Sequence, residues 1–213
     1  MDKIRAYVSN LTVLCFFLLQ VDACAENIDP HNLGNQYAYC ENTGWVNFEP
    51  EYGDGVQVSM HKLVGWCWCE NIGWLSLSCE NTDSCDNINY GVINDGTGVL
   101  SGFVWGENVG WINFKPIVSS DKEDYGVEID EQGRFSGWAW GQNIGWINFN
   151  PGKHYVVACK VTLEDLVEFC DEWLEYGNIA ANLNNEGRVD SVDYAILSNL
   201  FLDFCPDGWE LKR

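Results

Sequence analysis

The phrase YAYCENTGWVNF from Tyr37 returns as WCWCENIGWLSL from Trp66, FVWGENVGWINF from Phe103 and WAWGQNIGWINF from Trp138. Four copies of one phrase constrain this chain more than any other feature, because a repeat buries its apolar face only against its neighbours. Aligned, Asn42, Asn71, Asn108 and Asn143 coincide, as do Gly44, Gly73, Gly110 and Gly145, and Trp45, Trp74, Trp111 and Trp146. Successive final tryptophans lie 29, 37 and 35 residues apart. A second phrase precedes three copies, GVQV at Gly55, YGVIN at Tyr90 and YGVEID at Tyr125, so each full unit reads as three short strands. Asp95-Gly96 and the stretch from Asp130 to Gly133 supply turns between the first and second strands, and Pro50, Pro116 and Pro151 end the third.

Within a copy, Asn-x-Gly suits a tight hairpin, the asparagine bonding its own backbone and the glycine taking positive φ. Residues 141–145 then form the loop, and Trp140 faces Trp146, Ala139 faces Ile147 and Trp138 faces Asn148. One sheet face carries tryptophans and a polar residue (Asn47, Ser76, Asn113 or Asn148), the other Ala139, Ile147 and Phe149. Nine of eleven tryptophans lie in these phrases. Burying all nine is worth on the order of 45 kcal/mol gross at ~25 cal/mol/Å², against well over 100 kcal/mol of chain entropy, so most are expected in the core. The competing reading is an aromatic platform for sugar rings, with Trp105, Trp111, Trp138, Trp140 and Trp146 as its candidates. The turn acids Glu41, Glu70 and Glu107 occupy equivalent positions, and the fourth copy has Gln142, a pattern of solvated turn residues. The expected class is mainly β, with repeated three-stranded antiparallel meanders arranged as a prism, barrel or propeller, followed by a small helical module.

The chain opens with Lys3 and Arg5, an apolar run from Leu11 to Val21, and Ala23-Cys24-Ala25, the pattern of a cleaved export signal over residues 1–25. The run is too short for the roughly 20 residues of a membrane span, so a secreted or cell-surface protein is expected. Removing that segment takes Cys15 and Cys24 and leaves eight cysteines, an even number in an exported chain, which reads as disulfides. Cys79 with Cys85, Cys40 with Cys67 or Cys69, and Cys170 with Cys205 are the candidate pairs. Acidic residues outnumber basic ones 32 to 11, for a net charge of -21, and no basic cluster exists to bind nucleic acid.

The repeat domain is expected over residues 26–152, and beyond Lys153 the periodicity turns helical over residues 153–213. VTLEDLVEFCDEWLEY carries an apolar stripe of Leu163, Leu166, Val167, Phe169, Cys170, Trp173 and Leu174 behind a Thr162/Asp165 cap. A second helix starts near Ser191 with Tyr194, Ile196, Leu197, Leu200 and Phe201 inward. Between them NLNNEGRVDSVD follows the calcium-loop spacing: Asn182, Asn184 and Glu186 at the first ligand positions, Arg188 through its carbonyl, then Asp190 and Asp193. With its final Asp and the apolar helix that follows, the region from Lys160 to Cys205 resembles a type I dockerin, in which KVTLEDLVEF matches the second half of the other repeat. HYVVAC from His154 would be the first half, stripped of ligands. That resemblance implies calcium as a cofactor and a cohesin-like extracellular partner. No HExxH, GxSxG or P-loop is present. The sequence therefore reads as a non-catalytic display or binding domain on a dockerin-like tail, the alternatives being a carbohydrate-binding protein of a polysaccharide-degrading system or a structural surface protein.

Overall fold

The computed structural model describes residues 27–117, 125–177, 179–206, 209 and 211; the export signal with Cys15 and Cys24 lies outside them. Each tryptophan phrase is a hairpin: β1 (Tyr37–Cys40) with β2 (Gly44–Asn47), β4 (Lys62–Cys69) with β5 (Gly73–Ser76), β7 (Leu100–Gly106) with β8 (Gly110–Asn113), and β11 (Trp138–Gly141) with β12 (Gly145–Asn148). In the fourth, Trp140 pairs with Trp146, Ala139 with Ile147 and Trp138 with Asn148, the register expected from the sequence. The hairpins then join by equivalent pairs, Asn47 with Trp68, Ser76 with Trp105, Asn113 with Trp140 and Asn148 with Tyr39. The last of these closes an eight-stranded antiparallel barrel with fourfold internal repetition.

The second phrase forms shorter strands beside the hairpins. β3 (Val56–Val58) pairs with β4, β6 (Val92–Asn94) with both β4 and β7, and β9 (Glu128–Ile129) with β10 (Phe135–Ser136). Residues 156–158 take the corresponding place for the first hairpin: Val156 bridges Gln36, Val157 bridges Arg134, and Ala158 bridges Ile28. Residues 154–158, which in sequence read as the opening of the helical tail, therefore pair with the barrel's beginning. Their Val156 and Ala158 are buried in its core.

Turn asparagines make the joints between units. Asn42 Nδ2 donates to the Ile144 carbonyl (2.9 Å), Asn71 to Thr43 (2.9 Å), Asn108 to Ile72 (3.0 Å) and Asn143 to Val109 (3.0 Å). The expected bond to the residue's own turn gives way to this ring, because barrel closure brings a neighbouring carbonyl within reach of every asparagine. Gly137 shows how tightly the strands cross. At φ +85° a Cβ there would overlap the Gly126 carbonyl, and Gly65 and Gly102 stand in the same relation to Gly55 and Gly91.

Inside the barrel sit Ala38, Val46, Phe48, Leu75, Leu77, Val104, Ile112, Phe114, Ala139, Ile147 and Phe149, all at most 3% exposed. Phe149 packs against Phe48 at 5.4 Å and Phe114 at 5.3 Å, ring centre to ring centre. None of the nine repeat tryptophans is buried. The expectation that they form the core is overturned: strand alternation places them opposite the Ile/Phe face, and that smaller-residue face curls inward. An eight-stranded barrel encloses just enough room for side chains of that size.

Cys40, Cys67 and Cys69 also point into the barrel as free thiols, in place of the expected disulfide. Cys40 Sγ donates to the Ile144 carbonyl and Cys69 Sγ to that of Thr43. Burial, reinforced by the nearby Cys69, pushes the Cys67 thiol well up, so it is a small apolar core residue. The disulfides are Cys79–Cys85 and Cys159–Cys205. Cys170 is an exposed free thiol, because Lys160 bridges Phe204 and sets their neighbours Cys159 and Cys205 side by side, away from it.

The tail consists of α1 (Leu163–Asp171) and α2 (Ser191–Leu200), each opened by a capping box, Thr162 with Asp165 and Asp190 with Asp193. Phe169, Val161, Val189, Leu197 and Trp209 form its small core. The expected stripes are only partly inward. Leu163, Val167, Trp173, Leu174, Tyr194 and Phe201 are exposed, since helices this short bury one narrow strip each. Asn27 fastens tail to barrel, its amide donating to the carbonyls of Val58 and Cys205 while its oxygen accepts the Val58 N–H.

Two substitutions check this packing by urea unfolding followed through tryptophan fluorescence. Gly137→Ala should cost about 3 kcal/mol, through left-handed φ and the carbonyl overlap. Thr43→Val should gain about 1 kcal/mol, because Thr43 Oγ1 is buried without a partner where the other units carry Ile72, Val109 and Ile144.

A candidate ligand-binding cleft

Outside the barrel, each final tryptophan packs against two aromatics of its own hairpin. Trp74 lies 4.9 Å from Trp68 and 6.4 Å from Trp66 between ring centres; Trp111 lies 4.6 Å from Trp105 and 6.3 Å from Phe103. Trp45 meets Tyr39 and Tyr37, and Trp146 meets Trp140 and Trp138, in the same geometry. Tilted and edge-on contacts such as these hold the indoles in place without covering them. Trp45, Trp74, Trp111, Trp138 and Trp140 keep 37–45% of their surface exposed.

A further ring closes over three of the four final tryptophans: His154 on Trp45 at 5.3 Å, Tyr90 on Trp111 at 5.1 Å and Tyr125 on Trp146 at 5.3 Å. The second unit breaks the pattern. Its matching position is Asp54, and Gly53 lies against the Trp74 ring where the other units stack an aromatic ring. The same unit is followed by an extra segment, stapled by Cys79–Cys85 and begun by a 3-10 turn at Cys79–Thr82. Asn81 anchors it like a strand residue, accepting the Gly65 N–H (2.9 Å) and donating to the Gly65 carbonyl and to Ser76 Oγ. Tyr90 OH also donates to Ser76 Oγ (2.9 Å), and Lys62 is paired with Glu80.

Between the second and third hairpins these departures leave a cleft of about 870 Å³. Trp66 and Trp74 line one side and Trp105 and Trp111 the other, with Ser76 and Tyr90 between them and Asp54 and Glu107 contributing carboxylates. A narrower cleft of about 450 Å³ repeats the plan between the first and second hairpins, with Trp45, Trp68, Glu70 and Asn71 in matching places and His154 where Asp54 stands. The same plan thus recurs at two neighbouring joints, and the cleft is wider at the second.

Of the aromatic candidates read from sequence, Trp105 and Trp111 meet in the large cleft. Trp138, Trp140 and Trp146 gather separately on the fourth hairpin, where Trp146 meets the other two at 83° and 63°, so those rings are not coplanar. Sequence reasoning passed over Asp54, Trp66 and Trp74 as site residues and read Glu107 as a solvated turn residue. The signal for them was present in the acid that replaces Tyr90, Tyr125 and His154, and in the 37-residue spacing with its own pair of cysteines.

The 182–193 loop is tied together by its own polar groups. Asp193, fully buried, accepts the N–H groups of Asn184 (3.0 Å) and Asp190 (2.9 Å) on its two oxygens. Asn182 and Asn184 both accept from the Glu186 N–H, Asp190 caps α2 through the Val192 N–H, and Arg188 bridges Tyr176 along the backbone. Asp165 is the counterpart of Asp193 on α1, and its second oxygen accepts the Trp209 indole N–H at 2.7 Å. Glu186 is exposed, and among the described residues no three His, Cys, Asp or Glu side chains converge to hold a metal ion. As placed, the carboxylates serve the loop backbone.

Comparison of the chain with protein-family models, curated proteins and solved structures gives no match. Among the described residues, no helix is long and apolar enough to cross a membrane.

Asp193→Ala should destabilise the tail by about 2 kcal/mol in chelator, because it leaves two backbone N–H groups unpaired. Thermal unfolding in chelator measures it.

Proposed function

We propose that this is an exported, non-catalytic saccharide-binding protein whose barrel takes its ligand in the cleft between the second and third hairpins. The observation that carries the reading is the pairing of open indole walls with hydroxyl and carboxylate groups in one concave site. Sugar rings offer C–H faces to indoles and hydroxyls to polar groups, and a few placed polar groups among apolar walls are what a small-molecule site requires. The walls are rigid before the ligand arrives, since each indole is wedged by its neighbours, which lowers the ordering cost of binding.

Binding is favoured over hydrolysis for a physical reason. Asp54 and Glu107 are both exposed, whereas a glycosidase keeps one carboxyl as a proton donor in an apolar setting. Export accords with the two disulfides. In this proposal the helical module attaches the barrel to an extracellular partner, a cohesin-like one on the strength of the dockerin resemblance. Calcium at the 182–193 loop belongs to the same proposal. Exposed Leu163, Val167, Trp173 and Leu174 are consistent with a surface that awaits a partner.

Titration of the full chain with soluble oligosaccharides, read by tryptophan fluorescence and calorimetry, should show saturable binding. Trp74→Ala and Trp105→Ala should each weaken it tenfold or more, about 1.4 kcal/mol, and Trp173→Ala on the tail should leave it unchanged. If no glycan perturbs the fluorescence, or if oligosaccharides are shortened on incubation, the proposal fails. For the tail, the full chain should be retained on a cohesin panel in calcium and released by chelator; equal behaviour in both sinks the calcium-dependent attachment.

A further inference from the structure

We infer that the large cleft selects a saccharide bearing protonated amino groups, a chain of glucosamine-type units, over neutral, N-acetylated or acidic chains. This rests on the saccharide reading above and adds the charge of the ligand to it.

The cleft's charged lining residues are Asp54 and Glu107, both exposed, and no Lys, Arg or His lines it. Neither carboxylate has an ion-pair or hydrogen-bonding side-chain partner among the described residues, whereas Lys62, behind the inserted segment, is neutralised by Glu80. Asp54 is the acid that replaces the aromatic lid of the other units. The second unit therefore places a carboxylate at the cleft where the other units place an aromatic ring. Its narrower counterpart carries His154 at that position and has only Glu70 as an acid.

Indole faces add to the preference. A cation held over tryptophan is attracted by the ring quadrupole, most strongly when partly desolvated. Trp66, Trp74, Trp105 and Trp111 supply such faces on both sides. An ammonium group on a stacked sugar ring therefore meets aromatic faces and a carboxylate together, while a uronic or sulfated chain meets repulsion from both acids. The net charge of -21 brings cationic chains toward the protein generally, and the large cleft adds two carboxylates beside four indoles.

The test uses the full chain and calorimetric titration with three hexasaccharides: glucosamine, N-acetylglucosamine and unsubstituted glucose units, at a pH where the amines are protonated. The glucosamine chain should bind at least tenfold tighter than the other two, and the margin should shrink as salt rises. The double variant Asp54→Asn/Glu107→Gln should lose that margin, binding the glucosamine and glucose chains with similar affinity. A remote variant of equal charge change, Glu164→Gln/Glu175→Gln on the tail, should keep the margin. Equal affinities for all three chains, or loss of the margin in the remote variant, overturns this inference and leaves saccharide binding standing. No binding of any chain overturns both.

Discussion

The narrow interior of an eight-stranded barrel decides where every other part of this molecule lies. Such a barrel closes over one column of side chains. Phe48, Leu77, Phe114 and Phe149 fill that column, one from each hairpin. A face of indoles on the same strands has no room inside, so it faces out once the ring shuts. The barrel core is built from modest residues, and the tryptophans of the repeat stay outside it.

Four equivalent joints hold the ring shut. Each has a strand pair and a turn asparagine that reaches the neighbouring loop, and the fourth is made by the two ends of the repeat region, through Tyr39 with Asn148 and Asn42 with Ile144. Covering the seam, residues 156–158 lie against Gln36 and Arg134. A ring sewn in this way has no exposed barrel edge to pair with another chain. It also makes all four joints alike by default, so a departure at one joint stands out. At the second and third hairpins there are two departures, Asp54 for an aromatic lid and a stapled insertion, and both border one cleft.

Much of this was legible in the chain. Asn-x-Gly between alternating residues is enough to pair Trp140 with Trp146 and to separate the tryptophan face from the Ala139, Ile147 and Phe149 face, because turn and pleat geometry are local. The Cys79–Cys85 staple was legible for the same reason, being six residues long. Less legible were features that depend on distant segments meeting. Cys159 with Cys205, the free thiols of Cys40, Cys67 and Cys69, and the barrel pairing of residues 156–158 all follow from closure and from the docking of the tail through Asn27. The aromatic candidates show both cases. Trp105 and Trp111 reach the cleft, while their partners across it, Trp66 and Trp74, come from a different copy.

By itself the sequence determined the repeat, the hairpins, their register and the two faces of each sheet, since these depend on residues within a dozen positions of one another. Tertiary structure alone decided which face became the inside, because curvature is a property of four hairpins joined in a ring. It alone also decided which joint carries the larger cleft. That choice depends on Asp54, the segment stapled by Cys79–Cys85 and two hairpins coming together, a proximity that no short-range pattern encodes.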